Sequence, residues 1–462
     1  MFTSINPATG EAVATHDALD DDAVEARVAA ARSAFGSWRN TAFEERTALL
    51  HRIADRFDAN KDRLARTATL EMGKTLKSAI AEVDKCVQGF RYYADQGPAL
   101  LAPQEVETAS GRAVARWLPM GPVLAIMPWN FPYWQVVRFL APTILAGNVG
   151  LLKHASLTQG CAALIEEMVT SAGAPHGLFQ NLAIPSSRVA PLIDDPRIVA
   201  VTLTGSEGAG IKVAEAAGRN LKKVVLELGG SDPFIVMPSA DVEKAAKVAV
   251  TARTQNAGQS CICAKRMIVH VDVYDQFLDA FSAGMKALAI DDPMGEADMG
   301  PLSSIEQRDT VLDQVEEAKK EGARLLFGAE KIDRAGAWMS AGVLVDVPPE
   351  GKFAKEEIFG PVAMVFEAAD IDEAIVLAND VPFGLGSSVW TNDPAEQERF
   401  ARDIEAGMTA VNAMLASTPE APFGGVKRSG HGRELGPWGL HEFMNLKAVM
   451  LPEGDRSGPS GD

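Results

Sequence analysis

The chain predicts an α/β fold in which two successive regions each build a helix-covered sheet, with a separate hairpin standing out from them. Three observations carry this. From residue 121 to 230 short apolar runs alternate with helical patterns, the mark of a doubly wound parallel sheet. Past Ser231 a second alternation runs to about Asn412, with no strong repeat of the first. Residues 105–117 have strand–turn–strand composition. At 462 residues the chain is too long for one ordinary core, so two or three domains are expected.

Taken in order, residues 5–11 read as a turn between two short extended pieces. Asp20-Asp21-Asp22 offers N-cap acceptors to a helix ending near Trp38. Amphipathic patterns at 44–58, 61–73 and 77–96 predict three more helices. The hairpin turns at Ser110-Gly111 and needs a further surface to pair with, because two strands alone are unstable. Strands are expected at 123–127, 149–152, 179–183, 198–203 and 223–228, separated by helices at 133–146, 158–172, 187–193 and 209–217. In the second region strands are expected at 234–237, 265–271, 324–327, 343–347, 362–366, 388–391 and 409–411. Residues 423–436 read as a loop rich in Gly, Lys and Arg, and 452–462 as a polar, mobile end.

Composition excludes several classes of function. With 47% apolar and 23% charged residues the chain reads as a globular protein. A formal charge of −18 argues against nucleic acid and anionic membrane surfaces as partners. Apolar runs break well short of the roughly 18 residues a bilayer needs. No basic-plus-apolar leader opens the chain, so the cytoplasm is the expected compartment. Cys86, Cys161, Cys261 and Cys263 are too few for a disulfide framework, and neither their spacing nor the scattered histidines suits a metal site.

Parallel sheets bind ligands beyond the carboxyl ends of their strands, and several polar residues fall there. Asn130 follows the first strand with Trp129, Lys153 and Ser156 follow the second, and Glu227 ends the fifth before Gly229-Gly230. Gly205-Ser206-Glu207-Gly208-Ala209-Gly210 opens a helix and offers free N–H groups to a phosphate, although it matches no phosphate-loop fingerprint. A tight packing turn accounts for it equally well. In the second region Gly258-Gln259-Ser260-Cys261 precedes a β-rich segment. A thiol at such a junction is a candidate nucleophile, and a lone cysteine is as a rule a core residue.

Six motifs occur together in one order: Pro128-Trp129-Asn130-Phe131-Pro132, Thr204-Gly205-Ser206, Leu226-Glu227-Leu228-Gly229-Gly230, Gly258-Gln259-Ser260-Cys261, Glu357-Ile358-Phe359-Gly360-Pro361 and Pro422-Phe423-Gly424-Gly425-Val426-Lys427. On these the chain resembles the aldehyde dehydrogenase superfamily from end to end, and most closely its succinate-semialdehyde dehydrogenases. The resemblance implies a Rossmann-type dinucleotide-binding domain from 1–103 and 119–228, and an α/β catalytic domain from 229–440. It also implies an oligomerisation arm from 104–118 and 441–455, with a tail at 456–462. A homodimer or homotetramer follows.

The same resemblance assigns roles. Cys261 matches the nucleophile, Asn130 with the Cys261 backbone N–H the oxyanion hole, and Glu227 the base that activates water. With Glu227 present, release as free acid is expected over transfer to coenzyme A. Trp129, Lys153, Ser156, Gly205, Ser206, Glu357 and Phe359 match the cofactor site. Many NAD-using members carry Glu where Ser156 stands; losing that charge implies that NADP is preferred and NAD secondary. The glycine common after the third strand is missing at Leu182-Ala183-Ile184-Pro185. Arg138 and Ser417 match residues that hold a distal carboxylate, for which an Arg fork suits both oxygens; a structural ion pair is the alternative for Arg138. Gln255 stands where many members have a further Arg, which leaves glutarate semialdehyde and other small aldehydes open as substrates. Cys263 matches a cysteine that in some succinate-semialdehyde dehydrogenases forms a disulfide with the nucleophile; a buried small residue accounts for it equally well. A non-catalytic binding protein of the same fold is the reading from another class, and retention of Cys261, Glu227 and Asn130 speaks against it.

Overall fold

The computed structural model describes residues 1–109 and 111–452, so Ser110 of the hairpin turn and the expected tail past Pro452 lie outside the described residues. Strands β1 (Phe2–Ile5) and β2 (Ala12–His16) pair antiparallel around the predicted first turn. Helices α1 (Asp21–Trp38), α2 (Phe43–Ala59), α3 (Lys61–Met72) and α4 (Leu76–Leu100) follow. Asp20 caps α1 by accepting the Ala23 N–H, and Thr75 caps α4 by accepting that of Ser78. Helix α4 outruns its expected end at Gln96, because Pro98 removes only a bond of the last turn. Next come β3 (Gln104–Thr108) and β4 (Gly111–Pro119), the predicted hairpin.

Strands β5 (Pro122–Met127), β6 (Val149–His154), β7 (Phe179–Asn181), β8 (Ala200–Thr204) and β9 (Lys223–Glu227) alternate with helices α5 (Trp134–Ala146), α6 (Gln159–Ser171), α7 (Val189–Asp194) and α8 (Glu207–Arg219). β7 stops short of the expected Ala183, where the Ile184 N–H turns back to the Leu182 carbonyl at 2.8 Å. The helix expected at 187–193 begins as a 3-10 turn at Ser186–Arg188, then continues as α7. From β5 the chain steps outward to β6 and β7, then crosses to the other side of β5 for β8 and β9, all parallel. Strand order thus reverses beside β5, and the loops leaving β5 and β8 diverge into a crevice.

The second region contains β10 (Asp232–Val236), α9 (Val242–Thr254), β11 (Ala264–His270), α10 (Tyr274–Lys286), α11 (Ile305–Lys320), β12 (Arg324–Phe327) and β13 (Gly342–Val345). It continues through α12 (Lys352–Lys355), β14 (Val362–Ala368), α13 (Ile371–Asn379), β15 (Phe383–Gly384), β16 (Gly386–Trp390), α14 (Pro394–Asp403) and β17 (Met408–Val411). Its sheet runs β12-β13-β14-β11-β10-β16-β17 and is parallel except at β12.

Residues 423–436 are not all loop. β18 (Val426–Lys427) pairs with β15, and β19 (Gly430–His431) adds an antiparallel edge to β9. Strands of two residues leave no alternation to read, which is why the glycine-rich composition masked them. After α15 (Gly436–Glu442), β20 (Met444–Pro452) pairs with β4 along its whole length, giving the hairpin its third strand from within the chain.

Each sheet has its own apolar core, and Phe423, Leu435, Leu440 and Phe443 return to the first one. Cys261 and Ile262 also lean on that first core, although β11 behind them belongs to the second sheet. The loop carrying Cys261 therefore sits where the two regions meet.

Candidate active site

The loop from Gln255 to Cys261 is an unusual piece of backbone. Asn256, Ala257 and Gly258 are all left-handed, with φ of 55°, 54° and 74°. For an alanine this costs on the order of 1–2 kcal/mol and persists only where the surroundings over-determine it. They do so here. Asn256 Nδ2 donates to the Asn130 carbonyl at 2.7 Å and the Gln259 carbonyl at 3.1 Å. Gln259 Oε1 accepts the Ser303 N–H at 2.9 Å. Buried Arg253 donates to the carbonyls of Gly258, Ile358 and Gly360. Gly258 is required by packing as well as by φ, since a Cβ there would stand 2.4 Å from the Gly360 carbonyl carbon. Buried Lys265 reaches back along the loop and donates to the carbonyls of Ser260 at 2.8 Å and Cys261 at 2.6 Å.

Cys261 lines two spaces. On one side is a cavity of about 210 Å³ whose lining includes Lys85, Trp134, Arg138, Gln255, Ser417 and Phe423. On the other is a cleft of about 270 Å³ whose lining includes Trp129, Asn130, Gly205, Ser206, Glu357 and Phe359. Gln135 also borders both and donates to Asn130 Oδ1 at 3.0 Å. That bond orients the Asn130 amide, whose Nδ2 points to the loop of the thiol and donates to the Gln259 carbonyl at 3.0 Å. One amide hydrogen remains for an oxygen bound near the sulfur. Burial pushes the Cys261 thiol up to about 12; Arg138 and Lys265 oppose this, and Glu357 and Asp232 add to it.

The cleft lies at the switch point of the first sheet. Trp129 and Phe359 meet edge to face at 5.8 Å. Glu357 Oε1 is held by Lys265 at 3.0 Å and by the Gly230 N–H at 3.2 Å. Its Oε2 lies over bare backbone, since a Cβ on Gly229 would stand 2.3 Å away. Helix α8 begins here, with Ser206 as N-cap and the Leu203 side chain packed beside Gly205, 3.7 Å from where a Cβ would stand. A carboxylate for hydroxyl groups, an aromatic wall and a helix N-terminus form a donor set that fits a dinucleotide. Lys153 and Ser156 stand outside this wall, at the end of neighbouring β6, where Ser156 is exposed and Lys153 is buried with its pKa lowered by desolvation.

Glu227 lines neither space. It is 2% exposed, neither carboxylate oxygen has a hydrogen-bond partner among the described residues, and Oε1 lies where a Cβ on Gly424 would stand 2.7 Å away. Burial raises its pKa well above the usual carboxylate range, the charge of Glu434 adds to this, and Arg138 opposes it. Thus Asn130 and Cys261 share a wall, whereas Glu227 rests behind it. Arg138 lines the cavity but is ion-paired, its Nε 2.8 Å from Glu434 Oε2. Cys263 reaches neither space; its buried Sγ donates to the Gln255 carbonyl at 3.6 Å, and both thiols are free.

Sequence reasoning missed Gln135, Lys85, Lys265 and Glu434. A lysine and an arginine side by side at the start of a strand were the available signal for Lys265, and Gln135 lies five residues past Asn130 at the start of α5. Lys85 and Glu434 had none. Among the described residues no cluster of metal-ligating side chains occurs, and no helix is long and apolar enough to cross a membrane.

Comparison with known proteins agrees with this geometry. Residues 1–449 match the model of the aldehyde dehydrogenase family. The chain is 50% identical over 454 residues to succinate-semialdehyde dehydrogenase (NADP+) 1 of Mycobacterium tuberculosis, covering 97% of this chain and 99% of that one. It is 51% identical over 465 residues to succinate-semialdehyde dehydrogenase (NADP+) of Mycobacterium avium, covering 100% and 98%. Among solved structures, succinic semialdehyde dehydrogenase of Streptococcus pyogenes in complex with NADP+ superimposes with a TM-score of 0.96 at 38% identity, covering 98% of this chain and all of that one.

Proposed function

The chain belongs to the aldehyde dehydrogenase family, and from that premise we propose that it oxidises succinate semialdehyde to succinate, with NADP+ preferred over NAD+. The observation that carries this reading is the shared wall: Cys261 lines both a cavity that contains Lys85 and Arg138 and a cleft that contains Trp129, Ser206, Glu357 and Phe359. The 50% identity to NADP-dependent succinate-semialdehyde dehydrogenases supports the choice of substrate and cofactor.

In this reading Cys261 Sγ, as thiolate, bonds to the aldehyde carbon and gives a hemithioacetal. Its oxyanion is held by the remaining Asn130 Nδ2–H and the Cys261 backbone N–H, each worth roughly 3–4 kcal/mol when well placed. When bound, NADP+ supplies the acceptor for the hydride that the hemithioacetal loses as it becomes a thioester. Glu227 turns from its buried rest position toward the sulfur, takes a proton from water, and the resulting hydroxide displaces the thiolate to release the acid. Trp129, Gly205, Ser206, Glu357 and Phe359 would hold the cofactor, and Lys153 and Ser156 at the end of β6 would meet a 2′-phosphate. Cys263 is a candidate redox partner of Cys261; peroxide inactivation reversed by thiol reductant, and no longer reversed in Cys263→Ala, is its signature.

The three-stranded sheet of β3, β4 and β20 supports a homo-oligomer. Among the described residues its outer strands pair with nothing at their outer edges, and Val106, Leu446 and Met450 are exposed on it. A panel of aldehydes with both cofactors tests the whole reading. The highest kcat/KM is expected for succinate semialdehyde with NADP+; an equal value for a neutral aldehyde of the same length, or a preference for NAD+, overturns it.

A further inference from the structure

The cavity beside Cys261 holds two cations, and they are not equivalent. Arg138 is matched by Glu434 at 2.8 Å, with both side chains almost sealed from water, and its guanidinium lies over the Phe423 ring at 4.3 Å. Lys85 makes no ion pair with a carboxylate among the described residues. Its Nζ donates to Ser417 Oγ at 2.7 Å and lies 4.8 Å from the centre of the Trp134 ring. The acid nearest along its own helix, Glu82, is engaged elsewhere. Glu82 Oε2 takes Lys74 at 2.5 Å, and Oε1 takes the N–H groups of Tyr133 and Trp134 at 2.8 and 2.9 Å.

Ser417 sharpens the point. Its oxygen accepts from Lys85 and also from Trp134 Nε1 at 3.0 Å. Both lone pairs are then used, so its own hydrogen remains to be donated into the cavity. A half-buried ammonium without a counter-ion, next to a hydroxyl with a free hydrogen, is a two-point site for a carboxylate. Gln255, on the same lining, adds no charge.

We infer that Lys85, with the Ser417 hydroxyl, binds the distal carboxylate of the substrate, beside an Arg138 whose charge is shared with Glu434. The inference rests on the reading of the substrate as a semialdehyde acid. Arg138 itself is a poor probe, because removing it strands Glu434 as a buried, unpaired acid.

The test is Lys85→Met assayed with succinate semialdehyde and with butanal, which has the same carbon count and no carboxylate. KM for the semialdehyde should rise roughly 10- to 100-fold, the range of a lost charge-assisted contact. kcat should move little, KM for butanal far less, and Lys85→Arg should recover most of the loss. Equal effects on both aldehydes overturn the role of Lys85 while the substrate reading stands. A wild-type enzyme that does not discriminate between the aldehydes overturns both.

A second measurement needs no variant. Burial and the like charge of Arg138 lower Lys85 to about 8. The charged groups facing it are Arg138 on α5 with Glu434 behind it, and Glu82 on α4. The ratio of kcat/KM for the two aldehydes should therefore fall as pH rises through about 8, since Cys261 and Glu227 act on both substrates and cancel. In Lys85→Arg the ratio should stay flat. A flat ratio in the wild type overturns the proposal.

Discussion

The two spaces on either side of Cys261 are built in different ways. The cleft is assembled from strand ends and the backbone that follows them: Trp129 and Asn130 after β5, Gly205 and Ser206 after β8, Gly229 after β9. The cavity is assembled largely from side chains on two helices, Lys85 on α4 and Trp134, Gln135 and Arg138 on α5, with Ser417 from a distant loop. The first construction follows from topology, because a parallel sheet opens a crevice wherever strand order reverses. The second depends on which helix face meets which, and a few substitutions there alter what is bound without disturbing the sheet. One fold thus keeps its redox cofactor while its aldehyde is free to change.

The strongest way to break this division is at the shared wall. Cys261→Ser should lower kcat by roughly four orders of magnitude or more for every aldehyde, since an alcohol at neutral pH is a far weaker nucleophile than a thiolate. NADP+ binding, followed by quenching of intrinsic tryptophan fluorescence, should persist within about threefold, because the rest of the cleft is lined by other residues and serine keeps the shape of cysteine. Loss of both would mean that the cleft depends on the sulfur, and the two spaces could not be treated as separate.

A smaller effect separates the two chemical halves. Glu227→Gln should keep a rapid first turnover of NADPH and slow the steady state by roughly 10²- to 10³-fold, because only thioester hydrolysis needs the base. The sign of the pH dependence follows from burial. Glu227 is raised above the usual carboxylate range, and only its ionised form takes a proton from water. Steady-state kcat should therefore fall as pH drops through that raised value, and the glutamine variant should lose this slope. A variant lacking the first turnover as well would place Glu227 ahead of hydride transfer.

Legibility in the sequence follows the same line between strand-end motif and helix face. Asn130, Gly205 and Cys261 could be read because each sits next to a strand end or in a glycine-containing turn, where backbone geometry restricts the residue type. Strand–helix alternation gave both sheets, whereas the C-terminal strand that completes the hairpin was expected only from the family resemblance. What stayed hidden depends on distance along the chain. β19 is two residues long and owes its existence to β9, some two hundred positions earlier. Glu434 gains its meaning only from Arg138, with which it shares no local pattern. Lys85 looks like any polar residue on an amphipathic helix until α4 lies against α5 and Ser417 arrives from the other end of the chain. Arg138 carried two readings, carboxylate anchor and ion pair, and the fold brings it to the cavity and to Glu434 at once.

The mildest test lies at the far rim of the cleft. Ser156 is exposed at the end of β6, so Ser156→Glu should leave thermal stability within about 0.5 kcal/mol, as for most surface substitutions. A carboxylate there repels a 2′-phosphate and accepts hydrogen bonds from free ribose hydroxyls. The ratio of kcat/KM for NADP+ to that for NAD+ should fall by about tenfold, the effect of roughly 1.4 kcal/mol of repulsion across a solvated gap. Because Ser156 belongs to the strand-end construction, the preference for succinate semialdehyde over butanal should not move. If it did, the two spaces would be coupled through β5 and β6, and the helix faces could no longer be the sole source of aldehyde selectivity.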